Sequence, residues 1–331
     1  MLQDEIKRNL EKIKATRGVE NVVLTQRDGN PIHYTGIWFS KEEIFSISAA
    51  TSAIYNCGIE LHKDNLKYIL IEGNKAKILL FPLKNYGSTT LNKIIRAQDL
   101  QGNDNDFFVA ITAQNMINLG GIFLKTRNSL IEIKKSLILS GESFKPPLRH
   151  FSKKNIDEII GSSNVRDDIK ISENVQLYSL NIPEMIYKEL DNILRDLGNQ
   201  TLDLVKSYIA IEGGFIVSSY PKLKIDQHKL DSEATMGYSL FKTADKCAWL
   251  LKKMRVNSIL LECVDKFQFI NKVDSNIFSI EIGKGRQKLG LLRLIIPRYC
   301  KKITSILEEA RKYEIKPVNL NLEKMFTELI F

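Results

Sequence analysis

Apolar positions along the chain switch between a spacing of three to four and a spacing of two, and the switches mark out elements. Leu2, Ile6, Leu10 and Ile13 recur at helical spacing, and Gly18 follows where a helix end favours positive φ. Val22–Gln26 reads as a strand, Arg27-Asp28-Gly29-Asn30 as a tight turn and Pro31–Tyr34 as the returning edge strand. Ser40-Lys41-Glu42-Glu43 has the form of a capping box, in which hydroxyl and carboxylate satisfy each other's free backbone N–H, and it opens a helix expected to reach Cys57. Tyr68–Glu72 and Lys75–Leu83 form a hairpin about Gly73-Asn74, Phe107–Thr112 a further strand and Asn115–Leu137 a long closing helix.

The same order then returns. Ile182, Ile186, Leu190, Ile193 and Leu197 form a helical stripe ended by Gly198. Val205–Ile211 and Phe215–Ser218 pair around Glu212-Gly213-Gly214, and a basic loop runs from Tyr220 to Lys229. Asp231 or Ser232 is expected to cap a helix reaching Met254, followed by strands Asn257–Cys263, Lys266–Val273 and Asn276–Ile282 and a final helix Gln287–Tyr313. Pro297 lies inside that helix and predicts a kink, because it removes one backbone bond and crowds the preceding turn.

Direct repetition supports two copies. YILIEG at Tyr68–Gly73 parallels SILLEC at Ser258–Cys263, 190 residues on, and LGGIFL at Leu119–Leu124 parallels LGLLRL at Leu289–Leu294, 170 residues on. The first copy therefore holds 20 extra residues between strand and closing helix, and the polar, turn-rich Lys84–Asp106 supplies them. The division that follows is 1–137 with an insertion at 84–106, a linker at 138–178 containing Lys145-Pro146-Pro147, a second copy at 179–314, and a tail at 315–331. In the tail, Leu322, Met325, Phe326, Leu329 and Ile330 share one helical face behind Asn321 as cap, an amphipathic helix expected to dock on its own chain.

Composition narrows the class. At 331 residues and 44% hydrophobic content the chain can bury two cores of ordinary size, and no apolar run approaches the roughly 20 residues of a membrane helix. The start, MLQDEIKRNLEKIK, mixes acids and bases and lacks a signal peptide's apolar stretch, so a cytoplasmic location is expected. Four cysteines and four histidines are scattered without metal-ligand spacing, and phosphate-loop, dinucleotide, GxSxG and kinase signatures are missing; neither metal nor cofactor nor catalytic residue is expected.

Net charge is +9 but spread thin: basic residues exceed acids by 18 to 14 over residues 1–137 and by 24 to 19 over residues 181–331. One run stands out, Lys284, Arg286, Lys288, Arg293, Arg298, Lys301 and Lys302, with no acid between. Such a run can meet phosphate or anionic lipid, although it is more often a solvated helix face.

The order helix, two strands, helix, three strands, helix resembles the roadblock family, which includes the dynein light chains of that name. The resemblance is carried by GVENVVLTQRDGNPI at Gly18–Ile32 and by the Leu-Gly starts at Leu119-Gly120 and Leu289-Gly290, and it covers both copies. The second copy departs from it, with Gly213-Gly214 in place of Asp-Gly and Leu204-Val205 where Gly-Val is expected. The resemblance implies an α+β fold of two roadblock-like domains, each an antiparallel five-stranded sheet with the middle helix on one face and the terminal helices on the other. Family members usually pair through the middle helix and the following strand, which implies an intramolecular pseudo-dimer. Small residues suited to that contact are Ser46, Ala49, Ala50 and Ala53 in the first middle helix and Gly237, Ala244 and Ala248 in the second.

The function implied is a non-enzymatic scaffold or regulator of a small Ras-like GTPase, with that GTPase or other roadblock-type proteins as partners. Membrane contact would be peripheral. The alternative is binding of nucleic acid or an anionic membrane through residues 284–302, with nucleic acid the disfavoured partner.

Overall fold

The computed structural model describes residues 2–37, 40–62, 65–83, 107–140, 183–221, 226–252, 254–285 and 289–310. The insertion at 84–106, nearly all of the linker, the tail, Arg286, Lys288 and Ile182 lie outside the described residues. The first half consists of α1 (Leu2–Lys14), β1 (Val19–Gln26), β2 (Pro31–Gly36), α2 (Lys41–His62), β3 (Leu66–Gly73), β4 (Ala76–Pro82), β5 (Phe107–Gln114) and α3 (Leu119–Ser140). The second consists of α4 (Glu184–Gln200), β6 (Leu204–Ala210), β7 (Ile216–Tyr220), α5 (Gln227–Lys252), β8 (Val256–Cys263), β9 (Lys266–Val273), β10 (Asn276–Gly283) and α6 (Leu289–Ala310).

The capping box at the start of α2 is reciprocal, with Ser40 N donating to Glu43 Oε2 at 2.9 Å and Glu43 N donating to Ser40 Oγ at 3.1 Å. Several boundaries differ from expectation for local reasons. Helix α2 continues past Cys57 because Gly58 brings it close to the sheet: a Cβ there would lie 2.5 Å from Ile69 Cδ1. Helix α4 likewise runs through Gly198, which faces the Tyr220 ring, to Gln200. Helix α5 starts four residues before Asp231. Its cap is Asp226, whose Oδ1 accepts from His228 N at 3.1 Å and whose carbonyl accepts from Leu230 N at 3.0 Å. Helix α3 starts at Leu119 rather than Asn115, with Asn118 Oδ1 accepting from Gly121 N at 3.4 Å. Helix α6 passes Pro297 as one element, held by the buried stripe Leu292, Ile296, Tyr299, Ile303 and Leu307 on both sides of the proline.

Among the described residues, ten strands form one antiparallel sheet in the order β2-β1-β5-β4-β3-β8-β9-β10-β6-β7. The order is a palindrome of two five-stranded halves, and β3 and β8 join them. Register at the join pairs Tyr68 with Glu262, Leu70 with Leu260 and Glu72 with Ser258, so the repeated segments cross antiparallel about Leu70 and Leu260. Alternation along each strand separates two cores. Tyr68, Leu70, Leu79, Val109, Leu260 and Phe278 pack with the buried faces of α1, α3, α4 and α6, whereas Ile69, Ile71, Ile78, Leu80, Ile259 and Ile270 pack with α2 and α5. Each half thus carries its middle helix on one face and its terminal helices on the other.

Candidate interaction surface on the paired middle helices

Helices α2 and α5 lie against each other over the β3–β8 join. Cys247 Sγ donates to the Ala50 carbonyl at 3.3 Å, and Cys57 is hydrogen-bonded to the Thr243 side chain. Ala244 and Ala248 are buried on α5, while Ser46, Ala49 and Ala50 are half-buried on α2. Two of the nominated small residues have other surroundings. Ala53 is exposed, and Gly237 turns to its own sheet, where a Cβ would stand 2.8 Å from the Tyr208 hydroxyl. Burial raises the Cys247 thiol to about 12 and also raises Cys57, so these thiols pack rather than react.

Contacts beyond the two helices tie the halves together, and sequence reasoning found none of them. Asn74 N donates to the Arg255 carbonyl at 3.2 Å, and Arg255 N donates back to Asn74 Oδ1 at 3.2 Å. Asp245 accepts from Val256 N at 2.8 Å and pairs with the Arg255 guanidinium at 3.2 Å, which fixes the loop between α5 and β8. At the far end of the join Val264 N donates to the Asn65 carbonyl at 2.9 Å. Leu251 of α5 packs on Val23, Ile44 and Ile47 of the first half, and Lys252 pairs with Glu20 there. His62, at the end of α2, reaches Gln268 of β9: its Nε2 lies 2.6 Å from Gln268 Oε1, and Gln268 Nε2 donates to Ser279 Oγ at 3.1 Å. Because Gln268 spends its N–H on Ser279, its oxygen accepts, which assigns the imidazole proton to Nε2 and leaves Nδ1 a buried lone pair without a partner among the described residues. The contacts between the halves depend on the β3–β8 register, which no single segment encodes.

The outer surface of the pair is mixed. Helix α2 contributes Ala53 and Glu60, and α5 contributes Lys242, Lys246, Trp249 and Leu250, all exposed. The Arg255 guanidinium sits 4.8 Å from the Trp249 ring centroid and holds it in place. Arg27 supports the rim, donating from Nε to Asn56 Oδ1 at 2.7 Å and pairing with Glu60 at 3.6 Å. A half-exposed tryptophan beside an arginine, ringed by polar groups, is a composition enriched at protein-docking surfaces.

The basic run is dispersed in the fold. Lys284 pairs with Glu262 at 2.5 Å and covers the Phe267 ring, and Arg293 pairs with Glu72 of the first half at 3.3 Å. Arg298, Lys301 and Lys302 are exposed on α6. Carboxylates therefore occupy two of the cations that a phosphate-binding run would need free. A cavity of about 920 Å³ opens between Thr201, Asp203, Lys206, Glu233, Lys266 and Glu281 in the second half. Its walls are also paired internally: Lys206 with Glu233 and, at 3.5 Å, with Glu281, and Lys266 with Glu281 at 3.0 Å.

No family model and no curated protein matches the sequence. Among solved structures, the chain is similar to MglB in a tetrameric arrangement, at 19% identity and a TM-score of 0.37 over 40% of this chain and 97% of that one. It is similar to Myxococcus xanthus MglB at 18% identity and a TM-score of 0.34, covering 40% of this chain and 94% of that one. A roadblock/LC7 domain from Streptomyces avermitilis follows at 13% identity and 0.29, covering 38% of this chain and 97% of that one. In element order and in the faces its helices occupy, each half has the arrangement that the resemblance in sequence implies.

Proposed function

We propose that the chain is a non-enzymatic scaffold or regulator of a small Ras-like GTPase, built as a pseudo-dimer within one polypeptide and presenting the α2–α5 face to its partner. The observation that carries this reading is the fusion of two roadblock-like halves through β3 and β8, which sets both middle helices side by side as one continuous surface. The family resemblance of Gly18–Ile32 motivates the choice of partner class. The location that suits such a role is cytoplasmic; no described helix is long and apolar enough to cross a membrane. Residues 1–137 and 179–314 are then the two working domains, joined by 138–178.

The test is titration of purified Ras-like GTPases of the source cell, in both nucleotide states, against the full chain and a Trp249→Ala, Lys246→Glu variant. Binding that weakens at least about tenfold in the variant, as loss of an interface anchor does, supports the reading. Absence of binding by every GTPase in both states overturns it. Salt separates the basic-run alternative: phosphate or lipid binding weakens steeply between about 0.05 and 0.2 M salt, whereas an anchor-dominated protein interface changes little.

A further inference from the structure

We propose that the tail docks on the chain's own α6, its segment Asn321–Ile330 lying antiparallel along the exposed face formed by Leu291, Leu294, Arg298, Lys301 and Lys302. This inference is independent of the partner proposed above. These five residues are exposed at helical spacing, so one face of α6 is apolar near its start and basic near its middle. Leu291 is 50% and Leu294 67% exposed, large values for leucines three residues apart.

The face is peculiar to the second half. The equivalent positions on α3, 170 residues earlier, are Gly121, Leu124 and Asn128, followed by Ile131 and Glu132 where α6 has Lys301 and Lys302. Of the two closing helices, α6 rather than α3 therefore offers a leucine pair continued by a basic patch. The segment that follows α6 in sequence has the complementary pattern. Leu322, Met325, Phe326, Leu329 and Ile330 make one apolar face, flanked by Glu323 and Glu328. Laid antiparallel, its Leu329 and Ile330 meet Leu291 and Leu294, Glu323 at its start falls beside Lys301 and Lys302, and Glu328 lies about one helical turn from Arg298.

The connection permits this. Ten residues, Arg311–Leu320, separate the last described residue of α6 from the segment, and extended they span about 33 Å. The return from Ala310 to the level of Lys302 is only about 12 Å along a helix. Pro317 within the connection cannot continue α6, which favours a reversal there. A helix of ten residues is marginal alone, so docking and helix formation occur together.

Hydrogen exchange of the full chain tests the assignment, comparing wild type with Leu291→Glu, Leu294→Glu and with the charge reversal Lys301→Glu, Lys302→Glu. In wild type, amides of residues 322–330 should exchange about tenfold or more slower than an unstructured chain, and the leucine variant should release them. The charge reversal should reduce protection, and adding Glu323→Lys should restore it. Should the leucine variant fail to fold, this reversal and rescue among exposed side chains decides alone. An unprotected tail, protection indifferent to both α6 variants, failed rescue, or protection that rises with protein concentration and so reports a second copy, would each overturn the proposal.

Discussion

His62 shows how much one buried side chain can depend on a neighbour remote in sequence. It is 7% exposed at the seam between the halves, and Lys266, Glu281 and Glu233 act on it from the second half. Burial lowers its pKa below the ordinary 6.5, and the Gln268 hydrogen bond offsets only part of that. The unfolded chain therefore takes up the proton first as pH falls. The contribution of neutral His62 is fully present above pH 6.5 and is lost as pH drops from there through the lowered folded value. One proton can add at most about 1.4 kcal/mol of slope per pH unit. Urea unfolding at a series of pH values should show a steeper acid-side loss in wild type than in His62→Gln, and parallel profiles would refute the assignment. Gly214 makes a second residue-scale case. Its φ is +85°, and a Cβ would stand 2.5 Å from the Thr235 backbone Cα, so space and conformation both exclude a side chain. Gly214→Ala should cost about 2–4 kcal/mol, since left-handed strain and overpacking act together. Gly290→Ala, with nothing within 4 Å, should be neutral or slightly stabilising in the same urea titration.

At the scale of elements, local chemistry decided what could be read in advance. The box at Ser40 and Glu43 is written within four residues, and both of its bonds form in the structure. Ser40→Ala should cost about 1 kcal/mol, and Glu43→Ala somewhat less, checked by chemical denaturation followed by far-UV circular dichroism. If Ser40→Ala leaves stability unchanged, the box contributes nothing beyond fraying. Helix ends marked by glycine were harder to read. Gly58 and Gly198 resemble terminators in a one-dimensional pattern, but each lies under a bulky partner, Ile69 or Tyr220, that is visible only after folding. Placing the end of α2 at Cys57 also hid His62, which falls in the turn beyond. Asp226, the cap of α5, sits within a basic stretch that hides it in the pattern, whereas Asp231 lies at the start of the apolar period. The small residues of α2 and α5 were legible as a class, yet spacing alone could not tell Gly237, fitted to its own sheet, from Ala244 and Ala248.

At the scale of the molecule, the pairing of β3 with β8 sets the assembly. Each half alone would leave the backbone edge of its third strand unpaired over the length now matched from Leu66 to Gly73, together with the apolar flank of its middle helix. An open, apolar strand edge recruits another strand, from whatever chain supplies it. In the whole chain the linker keeps the complementary edge nearby, and a tether of this kind commonly raises local concentration to the millimolar range, far above micromolar protein. The full chain should therefore run as a monomer in light scattering at low micromolar concentration. Residues 1–140 expressed alone should dimerise through β3 or aggregate under the same conditions. Mixing them with residues 183–310 should restore a species of one copy each, because Leu70 against Leu260, Asn74 against Arg255 and His62 against Gln268 favour the mixed join over a self-pair. Reversing Arg255 to Glu should weaken that recovery, since it sets a carboxylate beside Asp245 where the guanidinium now lies 3.2 Å away. A full chain that is dimeric at low micromolar concentration, or a first half that stays monomeric and folded by itself, would show that the sheet does not close within one chain.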